Sequence, residues 1–134
     1  MLLVDAGPLV ALLRGNDERH ADCVKVLKTL REPMFTVWPA VTEAMHLLSF
    51  SRQAQDILWE KIVDGRLVLL PLTDADCGRM RQLMEKYRDL PMDLADAGLV
   101  CVAEREKIAR IFTIDRRDFE RYRPRGIGHF TLLP

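Results

Sequence analysis

The sequence is short of cysteine, of net charge and of long hydrophobic segments. Its three cysteines, Cys23, Cys77 and Cys101, are too few and too scattered for a disulfide scaffold or a zinc knuckle, so we expect a protein of the reducing cytoplasm. Lysine plus arginine and aspartate plus glutamate both number 20 in 134 residues. This balance argues against nucleic-acid binding through bulk positive charge, and any such contact must come from a local patch.

No segment is typical of a membrane span or a signal peptide. Apolar runs such as Leu67 to Leu72 are far shorter than the roughly 20 residues that cross a bilayer. The amino terminus has no basic leader and reaches an acid at Asp5. The chain does contain 49% hydrophobic and 30% charged residues, which is the composition of an ordinary folded protein. We expect one domain over residues 1–134.

Short apolar runs alternate with helical patterns along the whole chain. The runs predict five strands, at residues 2–4, 34–37, 67–70, 111–114 and 130–133. Helical spacing and helix breakers predict helices at about 8–13, 18–30, 39–48, 51–63 and 93–107, and one after a cap at Thr73 or Asp74. Strands that are apolar throughout are typical of a parallel sheet covered on both faces. The sequence therefore predicts an α/β fold.

Two aspartates directly follow predicted strands. Asp5 comes after the first strand and Asp115 after the fourth. Ligands bind outside the carboxyl ends of the strands in an open parallel sheet, so these two acids can meet at one edge. Taken singly, each could instead be a turn residue or the N-cap of a helix.

Asp96 is the only charge among the small and apolar residues from Leu94 to Ala103. A helix with this pattern is buried all round, and a buried carboxylate is normally paired or binds a metal. Asp93 lies three residues earlier on the same side, and the two carboxylates repel unless a cation lies between them. The alternative is that Asp93 caps the helix and Asp96 forms an ion pair with a buried arginine.

Glu43 lies near the start of the helix that opens at Pro39, where an acid also suits the helix dipole. None of these acids has a histidine or cysteine partner at metal-ligand spacing. Hard oxygen ligands select Mg²⁺ or Mn²⁺ over zinc, and such ions activate water and stabilise a leaving oxygen. The residues support a carboxylate–metal hydrolase or phosphoryl-transfer site.

Five arginines follow the fourth predicted strand, with Tyr122 among them. They are Arg116, Arg117, Arg121, Arg123 and Arg125. One hypothesis is a surface that binds the RNA backbone beside the acids. The other is a solvated face that Asp118 and Glu120 balance.

Four segments, in this order, resemble the PIN domain family, most closely its short prokaryotic VapC-type ribonuclease toxins. They are Leu3–Leu9, Val41–Glu43, Pro91–Ala97 and Thr113–Phe119. The resemblance covers essentially the whole chain. It implies a single-domain three-layer α/β/α sandwich with a five-stranded parallel sheet in the order 3-2-1-4-5.

The resemblance also implies a Mg²⁺- or Mn²⁺-dependent endoribonuclease. The residues on the family's acidic positions are Asp5, Glu43, Asp96 and Asp115, and Asp93 and Asp118 stand beside them as further metal ligands. Ala6 departs from the family, which often has a small hydroxyl residue there, and this puts one supporting hydrogen bond in doubt. The expected partners are an RNA substrate, a small cognate antitoxin and a second copy of the chain, with no membrane.

Other functions fit the sequence less well. A phosphoacceptor signalling domain would need a lysine after a late strand, and no lysine follows Lys107. A dinucleotide-binding module would need a glycine-rich turn after the first strand, where this chain has Asp5 and a single glycine. The serious alternative is a non-catalytic PIN-fold module that binds RNA or protein.

Overall fold

The computed structural model describes residues 1–134 and contains one sheet of five parallel strands. The strands are β1 (Leu2–Val4), β2 (Met34–Thr36), β3 (Leu67–Leu69), β4 (Arg110–Phe112) and β5 (Thr131–Leu133). Their spatial order is β3-β2-β1-β4-β5, and every neighbouring pair is parallel. The predicted sheet order is confirmed.

Seven helices connect or follow the strands. They are α1 (Ala6–Leu13), α2 (His20–Thr29), α3 (Trp38–Leu47), α4 (Arg52–Val63), α5 (Cys77–Lys86), α6 (Leu94–Glu106) and α7 (Arg116–Arg121). A short 3-10 turn, Asp74–Asp76, precedes α5. The sequence patterns predicted the first six helices but not α7. No helix has both the length and the apolar character that crossing a bilayer requires.

Each face of the sheet has its own hydrophobic core. Leu3 packs with α5, α6 and α7, whereas Leu2 and Val4 pack with α1, α2 and α4. β4 divides in the same way, with Ile111 on the α6 face and Phe112 on the α1 face. This alternation follows from the two-residue period of a strand, and it confirms the three-layer α/β/α arrangement.

The central helix α6 is buried along most of its length. All nine residues from Ala95 to Ala103 are buried, as the pattern of small and apolar residues predicts. Gly98 allows this close packing, because a Cβ built there would lie 2.9 Å from Leu72 and 3.3 Å from Val37. Since α6 runs back to the start of β4, its first turn lies at the edge where the strands end. Asp96 belongs to that turn.

Candidate active site

Three carboxylates converge where β1 and β4 end. Asp96, Asp115 and Asp118 each offer an oxygen, and these oxygens all lie within 4.8 Å of one another. Asp96 comes from the first turn of α6, and the other two come from the start of α7. Acids from distant parts of the chain therefore meet, but the innermost group contains Asp118 and not Asp5, which was expected to meet Asp115.

The remaining predicted acids surround this group. Asp5 follows β1 directly, and its backbone N–H donates to the carbonyl of Phe112 at 3.0 Å, which extends the pairing of β1 with β4. Glu43 lies on α3 and is exposed, and Asp93 immediately precedes α6. Although Glu43 is exposed by surface area, desolvation by the surrounding protein raises its pKa most, and the charges of Asp93 and Asp115 raise it further. Asp5, Glu43 and Asp93 are therefore close enough to the inner group to share its negative field.

Three of the acids cap helices. Asp5 accepts the Ala6 N–H at 2.8 Å, and Asp93 accepts the Asp96 N–H at 2.8 Å. Asp115 accepts the Asp118 N–H at 3.5 Å. The N-cap alternative is therefore correct for these three, but it does not exclude metal binding, because an ionised carboxylate has four lone-pair sites and a cap uses one. Capping orients the carboxylate relative to its helix.

Asp96 has no cationic partner. It is 7% exposed, and its Oδ2 accepts the hydroxyl of Tyr122 at 2.7 Å. It belongs to none of the eight ion pairs in the chain, so the predicted alternative of a buried arginine partner is wrong. Burial raises the pKa of Asp96 to about 8, and the charge of Asp5 adds to this effect. The Tyr122 hydroxyl acts in the opposite direction.

Asp5 is similarly perturbed. It is 8% exposed, and burial raises its pKa to about 6 with a smaller contribution from Glu43. The hydrogen bonds from Ala6 and Thr113 oppose this rise. Acids whose pKa values are raised above the ordinary range by burial and by neighbouring acids are typical of functional sites.

The donor set suits a hard divalent cation. None of the six acids takes part in an ion pair, so their repulsion is not relieved by a bound lysine or arginine. Burial and the effect of Asp115 raise the pKa of Asp118, and the charges of Arg117 and Arg121 lower it without outweighing them. Carboxylate oxygens without nitrogen or sulfur ligands match Mg²⁺ and Mn²⁺.

A model of the PIN domain family matches residues 2–123 of the chain. This chain belongs to the PIN domain family. The predicted family membership is thus confirmed.

Two named proteins are similar to this PIN domain. Ribonuclease VapC26 of Mycobacterium tuberculosis is 26% identical over 136 residues, which is 99% of this chain and 100% of that protein. The crystal structure of VapC20 of Mycobacterium tuberculosis, a toxin that cleaves the sarcin–ricin loop, superposes with a TM-score of 0.79. It is 14% identical, with 87% of this chain and 92% of that one covered, so it supports the shared fold.

Two side chains support the acids of this PIN domain, and the sequence patterns assigned this role to neither of them. The Thr113 hydroxyl donates to Oδ2 of Asp5 at 3.2 Å and accepts the Asp115 N–H at 3.0 Å, so it links two of the acids. It supplies Asp5 with a hydroxyl that the neighbouring Ala6 cannot. The sequence did contain a signal for this role, because Thr113 lies near the end of the predicted fourth strand, two residues before Asp115.

Tyr122 is the second missed residue. It is fully buried and packs edge-to-face against Phe119 at 5.1 Å and Tyr87 at 4.9 Å between ring centroids. The interpretation of Tyr122 as part of an exposed RNA-binding surface is therefore wrong, because its ring is inaccessible and its hydroxyl is bound to Asp96. No local pattern marks such a residue, since it reaches Asp96 only through tertiary packing.

The five arginines of the PIN domain are not equivalent. Arg117 and Arg121 are exposed on α7 and act electrostatically on Asp118. Arg116 donates to the carbonyl of Pro134 at 2.9 Å and pairs with Glu120 at 3.6 Å, as the solvated-face alternative predicted for this segment. Arg123 donates to the backbone carbonyls of Glu120 and Tyr122, and Arg125 lines a separate cavity.

Proposed function

We propose that this PIN protein is a Mg²⁺- or Mn²⁺-dependent endoribonuclease that hydrolyses RNA phosphodiester bonds, and that it is the toxin of a toxin–antitoxin pair. The observation that carries the proposal is the convergence of Asp96, Asp115 and Asp118 oxygens within 4.8 Å without a cationic side chain. The similarity to ribonuclease VapC26 over the full length of both chains supports the same activity.

Asp96, Asp115 and Asp118 would hold the metal ion, with Asp5, Glu43 and Asp93 available directly or through water. When bound, a divalent ion supplies a water of lowered pKa and stabilises charge on the phosphate oxygens. The six acids are difficult to explain in a non-catalytic PIN-fold module, because such a module gains nothing from their uncompensated repulsion.

The chain's own side chains prepare these ligands. Tyr122 occupies one oxygen of Asp96 and leaves the other for a ligand, and Thr113 fixes the orientation of Asp5. Such outer hydrogen bonds hold ligand geometry and tune affinity. Because Asp96 has a pKa of about 8, it must release a proton when a cation binds, so we expect affinity for the metal to rise with pH.

Arg117 and Arg121 are the arginines placed to contact RNA. They are exposed on the helix that also presents Asp115 and Asp118. A phosphate near the metal-binding acids would lie close to these two positive charges, which would offset part of the negative field of the six carboxylates. We assign Arg116, Arg123 and Arg125 weaker roles in RNA binding, since each has other partners or faces elsewhere.

Two apolar surfaces are candidate binding sites for the two expected protein partners, the antitoxin and a second copy of the chain. A cavity of about 600 Å³ between α1, α2 and α4 is lined by apolar side chains such as Leu12, Leu27 and Leu30, and we infer that the small antitoxin packs there. Trp38 and Trp59 are about half exposed with ring centroids 6.2 Å apart, and we infer that this pair contributes to a homodimer. Location in the cytoplasm stays a prediction of the sequence.

The activity is tested by RNA cleavage with purified protein. We expect cleavage with Mg²⁺ or Mn²⁺, little with Ca²⁺, which accepts looser geometry, and none in EDTA. Asp96→Asn should be inactive, whereas Asp56→Asn, which changes an exposed acid of α4 with no ion pair, should retain parent activity. Undiminished cleavage in EDTA, or by Asp96→Asn, contradicts the proposal.

A further inference from the structure

A second group of charged side chains lies far from the acids. It lines an open cavity of about 450 Å³ and consists of Asp76, Arg79, Glu104, Arg105, Lys107 and Arg125. Lys107 ends α6, eleven residues beyond Asp96, which corresponds to about 16 Å along the helix axis. Since α6 runs from the edge where the strands end to the start of β4, this cavity lies toward the opposite edge of the sheet.

The two acids of the cavity are already engaged. Glu104 accepts two hydrogen bonds from the Arg79 guanidinium, at 2.8 and 2.7 Å, and a third from the backbone N–H of Arg125 at 2.9 Å. Asp76 accepts from Arg105 at 2.9 Å and from the Thr73 N–H at 2.9 Å. Each carboxylate is therefore matched by one arginine of its own.

Two cations of the cavity form no ion pair, although the charge of Arg125 does lower the pKa of Glu104 after the larger effects of burial and Arg79. Lys107 and Arg125 occur in none of the chain's ion pairs, and the Arg125 guanidinium donates no hydrogen bond within the chain. The lining holds four cations and two acids, and Glu106, outside the lining, also pairs with Arg105 at 3.4 Å, so an excess of positive charge remains, carried by Lys107 and Arg125. A concave surface with this imbalance attracts an anion.

The backbone holds Lys107 in an unusual conformation. It is the only residue other than glycine with positive φ, at φ 55° and ψ 50°, a helix-ending position that usually holds glycine. A Cβ built on Gly126 would lie 3.5 Å from the Lys107 ammonium nitrogen, so this ammonium lies beside the segment that carries Arg125. A lysine at a position that favours glycine, with its ammonium beside the residue that follows Arg125, is an arrangement that a bound anion would stabilise.

We propose that this cavity binds a phosphate group, with Lys107 and Arg125 as its ligands and with Arg79 and Arg105 strengthening the positive field. Guanidinium and ammonium donors together match the several oxygens of a phosphate. The phosphate comes either from an RNA backbone or from free inorganic phosphate. The inference goes beyond the proposed cleavage site and does not depend on catalysis there.

The test compares the parent chain with Lys107→Asn/Arg125→Gln. Asparagine tolerates the left-handed conformation, so the fold should be retained; Arg125→Gln alone serves as a second variant. Lys25→Gln/Arg52→Gln, which removes two exposed cations from α2 and α4, is the matched control. In EDTA, inorganic phosphate should raise the thermal midpoint of the parent and the control by mass action, and this rise should be lost in the cavity variants.

The second arm measures the binding of a single-stranded oligoribonucleotide in EDTA at several salt concentrations. If the phosphate belongs to RNA, the slope of log affinity against log salt should flatten by about one to two units in the double variant and stay at the parent value in the control. Loss of the phosphate response with an unchanged slope identifies free phosphate as the ligand. Cavity variants that match the parent in both arms overturn the proposal. Neither arm uses cleavage, so an inactive protein in the cleavage assay leaves this test intact.

Discussion

The hydroxyl of Tyr122 donates a 2.7 Å hydrogen bond to Oδ2 of Asp96, and both side chains are buried. The donor is neutral, so it orients the carboxylate without cancelling its charge. Burial and the bond to Asp96 raise the pKa of Tyr122, which keeps its proton throughout the physiological range. This pair gives Asp96 a fixed geometry while leaving it able to compete for a cation.

Tyr122→Phe should reduce the favourable free energy of metal binding by more than it lowers the free energy of unfolding. Without the hydroxyl, the pKa of Asp96 rises further, because this hydrogen bond lowers it. We expect affinity for Mn²⁺ to fall by about 10- to 100-fold, with the activity profile displaced to higher pH. Mn²⁺ titrations at several pH values provide the measurement.

Tyr87→Phe is the control for this variant. Tyr87 packs against Tyr122, but its hydroxyl accepts the Arg123 N–H at 2.8 Å and does not contact an acid. Equal losses of metal affinity in the two variants would show that Tyr122 acts by packing alone.

Asp96→Asn should abolish cleavage and leave the metal-free fold at least as stable as the parent. Asparagine still accepts the Tyr122 hydroxyl, and at neutral pH it replaces a carboxyl whose pKa, raised to about 8, leaves it mostly protonated and uncharged. Above that pH it removes the repulsion that the other acids exert on the ionised carboxylate. The variant should also lose the stabilisation that Mg²⁺ or Mn²⁺ gives the parent. Denaturant midpoints with and without metal provide the measurement. A marked fall of the metal-free midpoint would identify Asp96 as a structural residue.

The metal-free protein should lose stability as pH rises from about 4 to about 8. The pKa values of Asp5 and Asp96 are raised on folding from 3.8 to about 6 and about 8. Between these values the folded chain holds protons that the unfolded chain has released, so the free energy of unfolding falls with pH. Urea midpoints in EDTA across this range should show the decline. Asp96→Asn should make the decline shallower between about pH 4 and 6, where Asp5 still contributes, and should remove most of it between about pH 6 and 8. A parent midpoint that rises with pH would contradict the assignment.

Thr113→Val should disturb the site by removing the hydroxyl that links Asp5 to Asp115. The substitution leaves a buried carboxylate oxygen and a backbone N–H without their partner, at a cost of about 1 to 3 kcal/mol for each unsatisfied group. Activity and metal affinity should fall together, and Thr113→Ser, which keeps the hydroxyl, should restore both. Failure of serine to restore them would assign the loss to packing.

Arg117→Ala/Arg121→Ala should weaken RNA binding through phosphate contacts. We expect the slope of log affinity against log salt to flatten by about one to two units. The control is Arg31→Ala/Arg81→Ala, which removes two exposed arginines that lie elsewhere on the surface and form no ion pair. This variant should keep the parent slope. An unchanged slope in the α7 variant would return these arginines to the role of a solvated face.

The sequence alone was sufficient for the main architecture. Each predicted strand overlaps an observed one with ends within two residues, because runs of buried apolar residues between turn-forming residues are local signals. The burial of α6 was likewise visible, since every side chain from Ala97 to Ala103 is small or apolar. α7 was not predicted, because its six residues, Arg116–Arg121, include five charges and one apolar anchor, Phe119.

Sequence patterns identified the candidate acids, but only the tertiary structure determined which side chains contact them. Asp5 and Asp115 are recognisable because each directly follows a predicted strand, and Asp96 because it is the only charge in the apolar part of a predicted helix. That Asp96 bonds to Tyr122, 26 residues later, and that Thr113 joins Asp5 across 108 residues depends on how α6, α7 and β1 pack. Local patterns encode the period and ends of an element, whereas the distance between two side chains on different elements is determined only when the whole core is packed.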